Sequence, residues 1–182
     1  MTTGHVYIAC SLDGFIAKPG GGLDWLMAAP PSNVMDLYNG FMADKDGIIM
    51  GRATFETVRS FAQWPYHKPV VVLSRTLRQD DLPSGLRNRV MIRNSAPTAL
   101  MAELGELGWC KAYIDGGATI SAFLRDGQIV ELVITRLPVL LGQGIPLFSD
   151  LPETALYHLA TDTLDNGATM SRYLVKRDHT HG

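Results

Sequence analysis

Short apolar runs, separated by segments of helical period, constrain this chain more than any other feature of its sequence. Ile48-Ile49-Met50, Val70-Val71-Val72-Leu73, Val90-Met91-Ile92 and Ala112-Tyr113-Ile114 show almost no polar alternation. A strand that is apolar on both sides must be covered on both faces, which a parallel sheet flanked by helices achieves. Between these runs the period becomes helical. Val34, Leu37, Tyr38, Phe41 and Met42 share one face, Leu100, Leu104 and Leu107 another, and Ile120, Phe123 and Leu124 a third. Val6–Cys10 reads as a buried first strand and Val130–Leu137 as a long late one. Leu156–Ala160 and Met170–Val175 have no helical pattern between them and read as a closing antiparallel pair. The expected fold is α/β in three layers, with a mostly parallel central sheet and a C-terminal antiparallel hairpin.

Composition narrows the class. With 182 residues, 46% hydrophobic and 19% charged, the chain can bury one sizeable core. A formal net charge of −2 lacks the basic excess of a nucleic-acid binder. No apolar stretch reaches the length of a membrane span, and Met1–His5 has neither the basic nor the apolar segment of a leader. A cytoplasmic protein is expected. Cys10 and Cys110 have no metal-type spacing, and each adjoins a strand-like run, so both are expected as buried free thiols. No metal site is expected.

Two of the strands pass into helices through glycine. Met50 is followed by Gly51-Arg52-Ala53-Thr54-Phe55, and Asp115 by Gly116-Gly117-Ala118-Thr119-Ile120. At such a junction the free N–H groups and positive end of a helix face one point, and that point favours phosphate. Two of them suit a ligand with separated phosphates, such as a dinucleotide. The G-x-G-x-x-G fingerprint is absent, and Gly142-Gln143-Gly144 is followed by Pro146 and reads as a loop. Phosphate-loop, zinc-peptidase and nucleophile-elbow motifs are absent as well. Gly20-Gly21-Gly22 reads as the hinge of a mobile loop.

The segment Met50-Gly51-Arg52-Ala53-Thr54-Phe55-Glu56 resembles the M-G-R-x-T-[WFY]-E segment of the dihydrofolate reductase superfamily. Val6–Ala9 with Leu12-Asp13-Gly14-Phe15-Ile16-Ala17 is similar to its first strand and lid, and Ile114–Ala118 to its second glycine junction. Pro138-Val139-Leu140-Leu141-Gly142-Gln143-Gly144-Ile145-Pro146-Leu147-Phe148 is similar to the reductase domain of the bifunctional riboflavin-biosynthesis deaminase/reductase and its stand-alone relatives. The resemblance implies a dihydrofolate-reductase-like reductase domain over residues 1–177 with a polar tail at 178–182. It also implies NADPH as cofactor, a small-molecule substrate and a homodimer.

Residue by residue, the resemblance sets Gly51, Arg52 and Thr54 on one side of the pyrophosphate. Gly116, Gly117, Ala118 and Thr119 form the other wall. Leu73, Ser74 and Arg75 take the adenosine end, where the guanidinium of Arg75 suits a 2′-phosphate. Ala9 and Ile16 would meet the nicotinamide. Ile120 stands where folate enzymes often carry tyrosine. Ala17–Trp25 is the expected lid, with Trp25 either covering the pocket or filling the core. Asp36, on the helix before the M-G-R strand, matches the carboxylate that supports pterin protonation, and Thr135 the threonine facing it. His5, His67 and His158 have no partner spacing, His179 and His181 sit in the polar tail, and none has a catalytic assignment.

The first reading is an NADPH-dependent reductase that delivers hydride to a C=N or C=O bond of a small heterocycle, of the 5-amino-6-(5-phosphoribosylamino)uracil reductase type. A true dihydrofolate reductase, resting on Asp36 and Thr135, is the second. A non-catalytic NADPH-binding domain is the third.

Overall fold

A computed structural model describes residues 1–176. The polar tail assigned to 178–182, with His179 and His181, lies outside the described residues. In chain order the elements begin with β1 (Thr3–Ser11), β2 (Phe15–Ala17), α1 (Asp24–Met27), α2 (Val34–Met42), β3 (Gly47–Gly51) and α3 (Arg52–Arg59). They continue with β4 (Val70–Leu73), β5 (Val90–Arg93), α4 (Pro97–Glu106), β6 (Lys111–Asp115) and α5 (Gly117–Arg125). The last are β7 (Ile129–Leu137), β8 (Ile145–Pro146), β9 (Leu156–Thr163) and β10 (Thr169–Val175).

Eight strands form one sheet in the order β5-β4-β3-β6-β1-β7-β10-β9. The pairs from β5 to β7 are parallel, and β10 and β9 add on antiparallel. The mostly parallel sheet and closing hairpin expected from the sequence are both present. Alternation along each strand sends side chains to two separate cores. On one face α2 and α3 press Phe41, Met42, Phe55 and Val58 onto Ile48, Met50, Val70, Val72 and Tyr113. On the other, α4 and α5 press Leu100, Met101, Leu104, Ile120 and Phe123 onto Val6, Ile49, Val71, Ile114 and Ile134. Complete burial of a side chain such as Phe55 or Phe123 is worth about 1.5–3 kcal/mol each.

The direction of the chain changes between β3 and β6. From β3 the path moves outward through β4 to β5, while from β6 it crosses β1 to reach β7. In parallel sheets such a reversal opens a crevice at the carboxyl ends of the strands, where ligands bind. Met50 pairs with Asp115 at that point, so both glycine junctions flank the crevice.

The Gly142–Gly144 segment is a loop, as expected, and leads into β8, which pairs with β2. The backbone there approaches too closely for any side chain: a Cβ on Gly144 would strike the carbonyl of Ala17. The triglycine segment is a closed turn, with the N–H of Lys18 on the carbonyl of Gly22 at 3.0 Å and Lys18 Nζ on Asp24 at 2.5 Å. Cys10 is buried, but Cys110 is exposed, because it precedes β6 on the turn out of α4 and never enters the sheet.

Candidate active site

At the switch point the two glycine junctions interlock. A Cβ on Gly51 would lie 2.8 Å from the hydroxyl of Thr119, and a Cβ on Gly116 would strike the hydroxyl of Thr54. Gly116 also holds φ +92°, a conformation that side chains disfavour. Each junction therefore presents bare backbone to the threonine of the other. Neither α3 nor α5 has a side chain capping its N-terminus, so the first-turn N–H groups of both helices keep their donors for a ligand.

Toward β4 and β5 the crevice opens into a cavity of about 560 Å³ lined by Arg52, Leu73, Ser74, Arg75, Thr76, Arg93, Asn94 and Ser95. Ser74 is buried, and its Oγ accepts the N–H groups of Thr76 at 3.2 Å and Leu77 at 2.9 Å. That turn bends the chain out of β4 and leaves Arg75 exposed. Arg52 Nη1 donates to Thr76 Oγ1 at 2.5 Å, and Arg93 Nε to Glu103 at 2.7 Å. Three guanidinium groups around one cavity suit an anionic ligand with several oxygens.

On the α2–α3 face, the carboxyl of Asp115 ends β6. Burial is the dominant influence on it and raises its pKa to about 6, against the opposing N–H of Gly116. Asp115 is half-buried. Around it stand Tyr38, Tyr66 and Tyr113. Burial first, and then the charge of Asp115, raises all three phenols, Tyr38 to about 12. Tyr113 donates its hydroxyl to the carbonyl of Tyr7 at 3.0 Å. A carboxyl poised near neutrality in a crevice is suited to holding and releasing a proton.

Asp13 ties the turn after β1 to the loop before β8. Its carboxylate accepts from the Ser11 hydroxyl at 2.6 Å and from the N–H groups of Leu141 and Gly142 at 3.1 and 2.7 Å. These bonds, led by that from Ser11, hold its pKa below the usual carboxylate range. Ile16 on β2 leans over Gly117, where an added Cβ would lie 3.1 Å from its Cδ1 and 2.6 Å from the carbonyl of Pro146. Trp25 is buried against Leu137 and Ala168, beside Ala9.

This chain matches the family described as RibD C-terminal domain over residues 3–170. It belongs to that family. Another similar protein is the Bacillus subtilis (strain 168) uncharacterized protein YwjB, 34% identical over 151 residues, covering 80% of this chain and 82% of YwjB. A crystal structure of a putative riboflavin biosynthesis protein from Shewanella sp. PV-4 superposes with TM-score 0.90 at 40% identity, covering 97% of this chain and 100% of that one. The deaminase/5-amino-6-(5-phosphoribosylamino)uracil reductase of Thermotoga maritima shares the fold, with TM-score 0.76 at 13% identity; 96% of this chain matches 57% of that longer protein.

In this RibD C-terminal domain chain the structure brings together most of the residues named from sequence. Gly51, Thr54, Gly116 and Thr119 form the interlocked junctions, with Arg52 at the start of α3 and Ala118 exposed in the first turn of α5. Leu73, Ser74 and Arg75 line the cavity. Ala9 pairs with Thr135 across β1 and β7, and both are partly exposed. Ile120 has no exposed surface and packs in the core. Asp36 is exposed in the first turn of α2, and no hydrogen bond joins it to Thr135 among the described residues. Sequence reasoning gave no role to Arg93, Asn94, Asp13 or Asp115. For Asp115 a signal was present: an acid as the last residue of a strand that meets a glycine junction faces whatever that junction binds. Among the described residues no cluster of metal-binding side chains occurs, and no helix is long and apolar enough to cross a membrane.

Proposed function

We propose that the protein is an NADPH-dependent reductase acting on a C=N or C=O bond of a small heterocycle. The observation that carries this reading is the pair of interlocked glycine junctions at the switch point, opening onto a cavity lined by three arginines. The site fits the cofactor on its own terms. Backbone N–H groups of Gly117 and Ala118 and of Arg52 and Ala53 can meet a pyrophosphate, because no Cβ or capping side chain stands in front of them. Arg75, with Arg52 and Arg93, would hold the 2′-phosphate. Ala9 and Ile16 leave an apolar surface for the nicotinamide, which would supply the hydride.

The remaining chemistry belongs to the chain. The carboxyl of Asp115 holds a proton at Oδ up to pH about 6 and can release it to a substrate nitrogen or oxygen. Ile16 and the Asp13-tied loop close one side, which keeps water from the reacting carbon. Thr135 borders the same face through its pairing with Ala9. Thermal unfolding with added NADPH tests the proposal: saturation at 100 times Kd should stabilise the fold by about 2.7 kcal/mol. No change at about 1 mM NADPH, the top of the usual KM range, overturns it. Oxidation of NADPH in the presence of cyclic imines and pyrimidines separates a reductase from a domain that only binds.

A further inference from the structure

On the cofactor reading proposed above, the cavity beside β4 and β5 receives a phosphate, and its three arginines wait for it in different states. Arg75 is exposed and makes no hydrogen bond or ion pair among the described residues. Arg52 donates from Nη1 to the Thr76 hydroxyl at 2.5 Å, and its Nε lies 3.6 Å from Glu56, a carboxylate that Arg59 holds more closely at 2.6 Å. Arg93 is held by full hydrogen bonds at two nitrogens. Its Nε donates to Glu103 at 2.7 Å and its Nη1 to the carbonyl of Ile92 at 3.0 Å. Bonds on two different nitrogens fix the plane of a guanidinium as well as its position.

The supports of Arg93 are themselves rigid. Leu100, Met101 and Leu104 bury α4 in the core, so Glu103 projects from a fixed helix. The strand that carries Arg93 is pinned too. β5 is an edge of the sheet, and the side chain of Gln79 stands where a further strand would pair. Its Oε1 accepts the N–H of Ile92 at 3.0 Å, and its Nε2 donates to the carbonyls of Val90 at 2.8 Å and Arg87 at 3.1 Å.

With side chains 34% and 36% exposed, Arg93 and Glu103 add little stability through their attraction. Their pairing matters for geometry. Nη2 of Arg93 makes no hydrogen bond among the described residues, so its N–H groups remain for a ligand in the cavity that Arg93 lines. A side chain immobilised beforehand loses no rotamer freedom when the phosphate arrives, which is worth about three- to tenfold in affinity. We infer that Glu103 is a positioning residue of this cavity: it does not line the space itself, but holds the Arg93 guanidinium in the orientation that receives the phosphate.

Charge by itself predicts the reverse. A carboxylate near an anion site repels the anion, so its removal should tighten binding. A positioning carboxylate should loosen binding when removed, and glutamine, whose carbonyl oxygen still accepts from Arg93 Nε, should restore it.

Calorimetric titration of the full chain with 2′-AMP, 5′-AMP and inorganic phosphate reads that sign. Glu103→Ala should weaken 2′-AMP about three- to tenfold, and Glu103→Gln should match the unsubstituted protein. Binding of 5′-AMP, whose phosphate belongs at the glycine junctions, should change with neither. In an Arg93→Ala background, Glu103→Ala should bring no further loss. The inference is overturned if Glu103→Ala binds 2′-AMP as well as or better than the unsubstituted protein, if Glu103→Gln is as weak as Glu103→Ala, or if the loss persists without Arg93. Inorganic phosphate separates this outcome from the cofactor proposal. Phosphate bound in the same Glu103-dependent way, with no binding of 2′-AMP, refutes the 2′-phosphate and retains the positioning role. Binding of 2′-AMP without dependence on Glu103 removes the positioning role alone, and failure of both probes overturns both.

Discussion

Replacing Asp115 by Asn should make the protein more stable, by an amount that grows with pH. The carboxyl and amide are nearly the same size, and the amide oxygen can still accept from the N–H of Gly116, so packing is conserved. What changes is the charge. The folded protein holds the Asp115 pKa at about 6, against a reference of 3.8. Between those values the folded state binds a proton that the unfolded state has released, so stability falls as pH rises. The contribution is intact below the unfolded pKa and is lost as pH climbs through about 6. At about 1.4 kcal/mol per pH unit the full loss is about 3 kcal/mol. The open side of the crevice screens the charge, so a gain of about 1–3 kcal/mol for Asp115→Asn at pH 8 is expected. Urea unfolding of both proteins between about pH 4 and pH 8 measures it, and the two curves should converge toward the acid end. A gap that is constant with pH, or a less stable variant at pH 8, would refute burial as the cause. The same variant should lose about 10²–10⁴-fold in turnover if Asp115 is the proton donor.

Other outcomes follow from other parts of the site. Arg75→Ala should weaken NADPH at least about tenfold more than NADH, the scale of a lost charge-assisted pair; titration of both by fluorescence checks this, and equal losses remove the 2′-phosphate role. Gly117→Ala drives a Cβ to 2.6 Å from the carbonyl of Pro146, and should cost about 1–3 kcal/mol in urea unfolding. An unchanged midpoint would mean that β8 yields freely. Asp13→Ala frees the N–H groups of Leu141 and Gly142; hydrogen exchange at those two amides should accelerate while that in β3 does not. Leu159 is 50% exposed on the edge strand β9, and Leu159→Lys should convert the homodimer that the family resemblance implies to a monomer in light scattering at unchanged helical content.

The cofactor side was legible in the sequence because it is written locally. A strand, a glycine and a helix start occupy consecutive residues, so Gly51, Arg52 and Thr54 announce their own geometry, and so do Gly116 and Thr119. Arg93 was not legible: it joins Arg75 only because β5 lies beside β4, a pairing across the sixteen residues 74–89. The substrate side depends on even longer-range placement. Asp36 looked like the acid because it occupies the expected helix, but three helical residues decide which way a side chain points, and Asp36 is left exposed. Asp115 looked like part of a phosphate turn, and only the pairing of β6 with β3 sets it beside Met50 at the switch point. The triglycine turn and the β2–β8 pair were hidden for a similar reason, since their partners lie on other segments.

The reciprocal threonines of the two junctions carry an evolutionary consequence. Gly51 has Thr119 as its limit, and Gly116 has Thr54, so these positions cannot drift independently. A homologue that acquires alanine at 51 must give up the branched hydroxyl at 119, and one that enlarges 116 must shrink 54 and also tolerate its left-handed backbone. Sequence covariation in this branch should therefore couple 51 with 119 more freely than 116 with 54, because only the second pair has the backbone as an additional veto.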